Sequence, residues 1–259
     1  PVLAEKLNFS TEELQEHLFK LEQLFPNLLI QSTKEGIQLQ FEARNSLDPR
    51  IAIFEQSETY SFLNRLFFKE GQSLKQISQE LMIGCEQVQE IIQHLNTKLP
   101  QHYGISIQLS PLVMEGTEED IRAFYLDYFS QSYDFLDWPF PSISEESLTH
   151  LIQLFLDAQQ VSPNLSSLRQ IKYTLAINLE RFNKSHLIEN PIALLTSHYS
   201  SLMQIPQFEQ DIKKLAKKLH FEPKKETLEQ LFSNPVKSPQ LTNNPNNGVL
   251  GDIQHIQKS

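Results

Sequence analysis

Residues 3–26, LAEKLNFSTEELQEHLFKLEQLFP, align with residues 77–100, ISQELMIGCEQVQEIIQHLNTKLP, at a constant offset of 74. Leu3 matches Ile77, Ala4 matches Ser78, Leu7 matches Leu81 and Phe9 matches Ile83. Beyond a break, Leu14 matches Val88, Leu18 matches Ile92, Leu21 matches Leu95, Phe25 matches Leu99 and Pro26 matches Pro100. The first positions set one apolar stripe on a short helix, with a small residue (Ala4 or Ser78) where a second helix crosses closely. Phe9 or Ile83 fills the corner. The later positions fall at i, i+4, i+7 along a longer second helix. Asn8-Phe9-Ser10 and Ile83-Gly84-Cys85 supply the short turn between the two helices. Ser10 followed by Glu13 has the form of a capping box.

Each copy runs into alternating segments. LLIQ and GIQLQFE flank Lys34-Glu35-Gly36 after the first, and ISIQL and LVMEG flank Ser110-Pro111 after the second. Such segments read as paired strands, and a helix-turn-helix followed by a two-stranded ribbon is a winged helix. Ahead of the second copy, FEQSETYSFLNRLFFKEG (54–71) predicts a further helix with Tyr60, Leu63, Leu66 and Phe67 turned inward and Gly71 at its end. No equivalent helix precedes the first copy, and the chain opens at Pro1 without methionine, so a trimmed N-terminus is expected. Five of the seven glycines precede residue 117 and none falls between 117 and 247. Short elements with tight turns therefore give way to longer helices. The predicted class is mainly α, with two tandem winged helix-turn-helix domains carrying small β wings, then an all-α helical bundle. Boundaries are drawn at 1–46 for the first winged helix, 52–116 for the second, 117–140 for a connecting helix and 141–235 for the bundle. The polar, turn-rich 236–259 is read as a linker or the start of a further domain.

Composition narrows the functional classes. The net charge is −10, which argues against non-specific attraction to phosphate. The first 110 residues hold 9 Lys+Arg against 14 Asp+Glu, so that segment is not basic either. Lys213, Lys214, Lys217, Lys218, Lys224 and Lys225 are interrupted by Glu222, Glu226 and Glu229 and read as a solvated face. No apolar run approaches a membrane span. The single cysteine, Cys85, excludes an internal disulfide framework and fits the cytoplasm; it is expected as a buried turn residue. No glycine-rich phosphate loop, nucleophile elbow or metal-spaced His/Cys cluster occurs, so neither enzyme activity nor a cofactor is expected.

The stretch SLKQISQELMIGCEQVQEIIQHLNTKLPQHYGISIQLSPLVMEGTEEDIRAFYLDYF resembles the Mga / RofA-like / AtxA-type transcription regulators of Gram-positive bacteria. It carries a helix-turn-helix and a wing that closes on Gly116, Glu118, Glu119, Ile121 and Arg122. From about Pro141 the chain is similar to the family's first phosphotransferase-regulation domain (PRD), a five-helix bundle. The resemblance covers roughly residues 1–235. It implies promoter binding by the winged helices, activation of adhesin, capsule or other virulence genes, and phosphorylation of a PRD histidine by phosphocarrier proteins of the sugar phosphotransferase system. It also implies RNA polymerase as a partner, a homodimer formed through domains beyond residue 259, and an N-terminal fragment as the nature of this chain.

In the second copy Val88, Ile91, Ile92, Leu95 and Leu99 are assigned to the core. Glu86, Gln87, Gln89, Glu90, Gln93, His94 and Lys98 are left to face a DNA groove. Glutamine recognises an adenine edge with two hydrogen bonds, and glutamate accepts from cytosine N4. Lys75, Arg65, Lys69 and Lys98 are candidates for phosphate contacts. In the first copy Thr11, Glu12, Gln15, Glu16, Phe19 and Lys20 are exposed; Gln15 and Lys20 are its DNA-contact candidates on an otherwise acidic helix. The regulatory candidate lies in RFNKSHLIENP (181–191), where a helix bearing Leu175, Leu179 and Phe182 leads to His186 and Pro191 opens the next helix. A phosphate on His186 would sit beside Arg181 and Lys184. In the antiterminator branch of these domains the accepting histidine lies seven residues before the arginine, where this chain has Thr174. His150, His198 and His255 are weaker candidates. Two alternatives stay open: a protein-interaction module with degenerate winged helices, and an RNA-binding regulator related to antiterminators.

Overall fold

The computed structural model describes residues 2–6, 9–24, 28–33, 36–41, 57–133, 137–158, 160, 162–191 and 199–233. The chain divides into two compact units, Pro1–Ser57 and Glu58–Ser259.

In the first unit α1 (Val2–Lys6) and α2 (Thr11–Leu24) precede an antiparallel ribbon of β1 (Leu28–Thr33) and β2 (Gly36–Phe41), with Ile30 opposite Leu39. The Ser10 capping box forms as the sequence predicts: Ser10 N–H donates to Glu13 Oε2 at 2.7 Å and Glu13 N–H to Ser10 Oγ at 3.1 Å. Ala4, Leu14 and Leu28 are buried between the elements.

The second unit opens with α3 (Glu58–Phe68), α4 (Leu74–Leu81) and α5 (Cys85–Tyr103), followed by an antiparallel ribbon of β3 (Ser106–Leu109) and β4 (Leu112–Glu115). α3 is shorter than the helix read from the sequence, and Tyr60 on it is only half-buried, whereas Phe62, Leu63, Leu66 and Phe67 are fully buried. Ser73 and Gln76 form a capping box that starts α4. Gly104, left-handed at φ 69°, ends α5. Gly116 also has a positive φ of 143°, and a Cβ there would stand 2.7 Å from Ile105 Cγ2, so a side chain would collide as well as strain the backbone.

The repeat is visible in hydrogen bonds. Phe9 N–H donates to Ala4 C=O at 2.9 Å, and 74 residues on Ile83 N–H donates to Ser78 C=O at 3.1 Å. Leu14 N–H to Ser10 C=O and Val88 N–H to Gly84 C=O, both 3.1 Å, form the next matching pair. Ala4 and Ser78 are both buried where the helices cross.

α6 (Glu118–Ser132) falls in the stretch expected as a connecting helix, and it packs against both α5 and the later helix of residues 165–183. Phe124, Tyr125, Tyr128 and Phe129, with Ile121, are buried along one broad face, while Asp120, Asp127 and Gln131 keep the other side polar. Tyr103 at the end of α5 donates its hydroxyl to Asp127 at 2.8 Å. On another side Phe67, Phe129 and Phe140 pack ring against ring at 4.9–6.2 Å. Beyond it lie α7 (Glu145–Ala158), α8 (Leu165–Asn183), α9 (Tyr199–Met203), α10 (Pro206–Leu219) and α11 (Lys225–Leu231). The lysines of 213–225 are exposed and partly paired with Glu209, Asp211, Glu222 and Glu229. No helix among the described residues is long and apolar enough to cross a membrane.

Candidate nucleic-acid interface and its link to the helical domain

Val88, Ile91, Ile92, Leu95 and Leu99 are buried on the side of α5 that packs against α4, β3 and α6. This fixes the opposite face outward: Glu86, Gln87, Gln89, Glu90 and Gln93 are all exposed. Two further side chains tie the ribbon down. Asn96 clamps Ile107 on β3 from both sides, donating to its C=O at 2.9 Å and accepting from its N–H at 2.8 Å. Glu70, just past α3, accepts Met114 N–H on β4 at 3.0 Å. Its neighbours join β4 through the backbone, with Gly71 N–H on Leu112 C=O at 2.8 Å and Leu112 N–H on Gln72 C=O at 3.1 Å.

The remaining predicted contacts fare unequally. Lys75 is exposed; Lys98 and His94 are half-buried. Nε2 of His94 is buried without a hydrogen-bond partner among the described residues. Gln87 donates to Glu58 Oε2 at 2.5 Å, so its amide already has a carboxylate partner. Arg65 and Lys69 do not stand ready for phosphate: both bind Glu80, at 2.8 and 3.3 Å. In the first unit Thr11, Glu12, Gln15, Glu16, Phe19 and Lys20 are exposed. Cys85, expected in a buried turn, is exposed at the first position of α5, its Sγ 3.2 Å from Ser78 Oγ.

Behind the ribbon lies a buried ionic cluster that no sequence motif announced. Arg181, on the last turn of α8 and 1% exposed, gives Nε and Nη2 to Glu118 at 2.9 and 2.7 Å and Nη1 to Glu70 at 2.9 Å. Arg122, fully buried, gives Nε to Glu118 at 2.8 Å. Its remaining donors reach Asn178 Oδ1 at 3.2 Å, Gln230 C=O at 3.1 Å and His186 C=O at 2.9 Å. His186 Nε2 meets Glu70 Oε2 at 2.7 Å. Burial pushes the Glu70 carboxyl up, but the His186 hydrogen bond, the Arg181 charge and the Met114 amide outweigh it and lower its pKa to about 2. Burial likewise opposes ionisation of Glu118, and the two guanidiniums overcome it, so its pKa is also lowered. Among the described residues no group of His, Cys, Asp and Glu is placed to hold a metal ion.

Residues 48–129 match the Mga helix-turn-helix domain, and residues 144–241 match the PRD domain of the M protein trans-acting positive regulator (MGA). The chain belongs to the Mga-type regulators that carry a PRD. It is 32% identical over 192 residues to a protein of Streptococcus pneumoniae serotype 4 described as a trans-acting regulator, a match covering 72% of this chain and 38% of that protein. It is 27% identical over 213 residues to the anthrax toxin expression trans-acting positive regulator of Bacillus anthracis, covering 78% of this chain and 44% of the relative. The capsule synthesis positive regulator AcpB of the same organism is 24% identical over 137 residues, covering 53% and 28%. The chain thus spans less than half the length of each of these relatives. In Mga terms the ionic cluster joins the helix-turn-helix domain (Glu70, Glu118, Arg122) to the PRD (Asn178, Arg181, His186).

His186 lies three residues past α8, half-buried. Arg181 near it is already engaged by two glutamates through three of its five N–H groups, and Lys184 donates to Phe67 C=O and stacks over the Phe67 ring at 5.1 Å. His150 differs: Asp211 Oδ2 holds its Nδ1 at 2.6 Å, and the half-exposed ring borders a groove of about 400 Å³ that Lys214 and Lys218 also line. His198, His255 and the helix expected after Pro191 lie outside the described residues.

Proposed function

We propose that this chain binds promoter DNA as a positive regulator of transcription, through two tandem winged helix-turn-helix units. The units correspond to residues 1–46 and 52–116, with the PRD bundle at 141–235 as the sensing part. The observation that carries this reading is α5: one face is locked into the core by five apolar residues, and the other offers a row of glutamines and glutamates without competing apolar cover. Gln89 and Gln93, with Gln87 once released from Glu58, supply base-edge hydrogen bonds, and Lys75 and Lys98 supply phosphate contacts. Glu86 and Glu90 repel phosphate, so a single copy binds weakly and a homodimer is needed for useful affinity. Positive regulators of toxin and capsule synthesis among the relatives support a virulence-related target set.

The PRD supports regulation by phosphoryl transfer from phosphotransferase phosphocarriers. His186 is the acceptor by position. A second reading favours His150, because Asp211 fixes its Nδ1 proton and leaves Nε2 as the nucleophilic nitrogen beside two lysines. Duplex binding by the full chain, followed as a function of salt, tests the DNA reading. Affinity should fall steeply with salt, and Gln89→Ala with Gln93→Ala should erase sequence preference. Salt-insensitive duplex binding, or none even at low salt and high protein concentration, would overturn the DNA reading. Labelling by purified phosphocarrier components separates the histidines: incorporation that survives in His186→Ala and disappears in His150→Ala assigns the site to His150, and the reverse assigns it to His186.

A further inference from the structure

We infer that Glu70 is a positioning residue that couples the side chain of His186 to the β3–β4 ribbon. Its effect on promoter affinity rests on the DNA-binding reading above; its geometry does not. One carboxylate serves two masters. Oε2 takes His186 Nε2 at 2.7 Å and Arg181 Nη1 at 2.9 Å, while Oε1 takes the backbone N–H of Met114 at 3.0 Å. Met114 lies directly opposite Ile107 across the ribbon, and Ile107 is the residue that Asn96 of α5 clamps through both backbone groups. A line of direct hydrogen bonds and one strand pairing therefore runs from the PRD histidine to the helix that carries the glutamines.

The link is selective because everything around it is anchored elsewhere. Arg181 has Glu118, and Arg122 and Asn178 are tied to the backbone at Gln230, Leu231 and Ser233. Gln230 fixes Ile188 through two hydrogen bonds of 2.7–2.8 Å, which holds the segment after His186 in place. His186 is the one member of the cluster with substantial access to solvent, its side chain 34% exposed against 6% for Glu70. Any change of charge or size at His186 is thus felt first by Glu70. With the imidazole withdrawn, the carboxylate re-centres on Arg181 and its bond to Met114 lengthens.

Hydrogen exchange at the Met114 amide of the full chain tests this without DNA. In His186→Ala, exchange at Met114 should rise about tenfold, the equivalent of one hydrogen bond's net contribution. The Leu95 amide in the core of α5 should not change. His186→Gln, whose amide can still donate to Glu70, should restore most of the protection. In Glu70→Gln, adding His186→Ala should accelerate exchange no further. Unchanged exchange at Met114 in His186→Ala, equal behaviour of the Ala and Gln variants, or additive effects in the double variant would overturn the coupling. Should Glu70→Gln fail to fold, the Ala and Gln comparison at His186 decides alone. Duplex affinity is read in parallel: absence of binding by wild-type protein removes the DNA reading and leaves the exchange result standing.

Discussion

Replacing Glu118 by glutamine keeps the shape of the ionic cluster and deletes one charge. In the native protein this carboxylate, 8% exposed, accepts three charge-assisted bonds of 2.7–2.9 Å from guanidiniums that are 0% and 1% exposed. After the change Arg181 still has Glu70. Arg122 keeps its hydrogen bonds to neutral oxygens of Asn178, Gln230 and His186 and the nearby charge of Glu119. The glutamine amide also turns an N–H toward one guanidinium. Breaking a buried pair by removing one partner typically costs about 3–5 kcal/mol, because the other charge stays desolvated. For a unit of this size that corresponds to roughly 6–20 °C in melting temperature. Urea unfolding of Glu118→Gln beside Glu115→Gln, an exposed control on β4, measures the difference. The control should stay within about 0.5 kcal/mol of wild type. A Glu118→Gln protein within about 1 kcal/mol of wild type would refute the claim that these charges are desolvated and mutually dependent.

The pKa of Glu70, about 2 against an ordinary 4.5, gives a stability term that is complete above pH 4.5 and is lost as pH falls toward 2. It amounts to roughly 3 kcal/mol. Denaturation midpoints across that window should show the loss, and Glu70→Gln, weaker at neutral pH, should show a shallower acid slope. Gly116→Ala places a Cβ against Ile105 at a positive φ, so a loss of about 1–3 kcal/mol is expected by chemical denaturation. Glu90→Gln removes an exposed carboxylate from the outer face of α5, so duplex affinity at low salt should rise several-fold with little change in melting temperature. Unaltered or weaker binding would place that residue away from DNA.

The helix pairs and their ribbons were legible because each residue's neighbours lie within one turn or one hairpin of it. The offset of 74, the Ser10 box and the apolar stripe of α5 needed no long-range information. Ser73 and Gln76 form the same kind of local box at the start of α4, which the structure brought to light. α6 was harder to place because its buried face is broad and includes a charged residue, Arg122, and two tyrosines, Tyr125 and Tyr128, which blur an apolar stripe. The ionic cluster hid for another reason: Glu70 and Arg181 are 111 residues apart, and Glu118 and Arg181 are 63 apart. Each glutamate read alone is a surface residue. Glu118 and Arg122 left a trace as part of the segment that resembles the family, and Arg181 and His186 as the regulatory candidate, but nothing in the sequence joined the two pairs or pointed to Glu70. Cys85 was misplaced because the turn was treated as interior, whereas the first residue of α5 faces outward beside Ser78.

The contact that Glu70 makes across to Arg181 also bears on modularity. A chimera built by joining the helix-turn-helix part of one relative to the PRD of another at residue 140 would separate Arg181 from the carboxylates matched to it. The stranded guanidinium would then be buried by a neighbour chosen for a different partner. Grafts should exchange Glu70, Glu118 and Arg122 together with the helical domain, because the electrostatic seam between these modules runs well inside the border drawn by sequence.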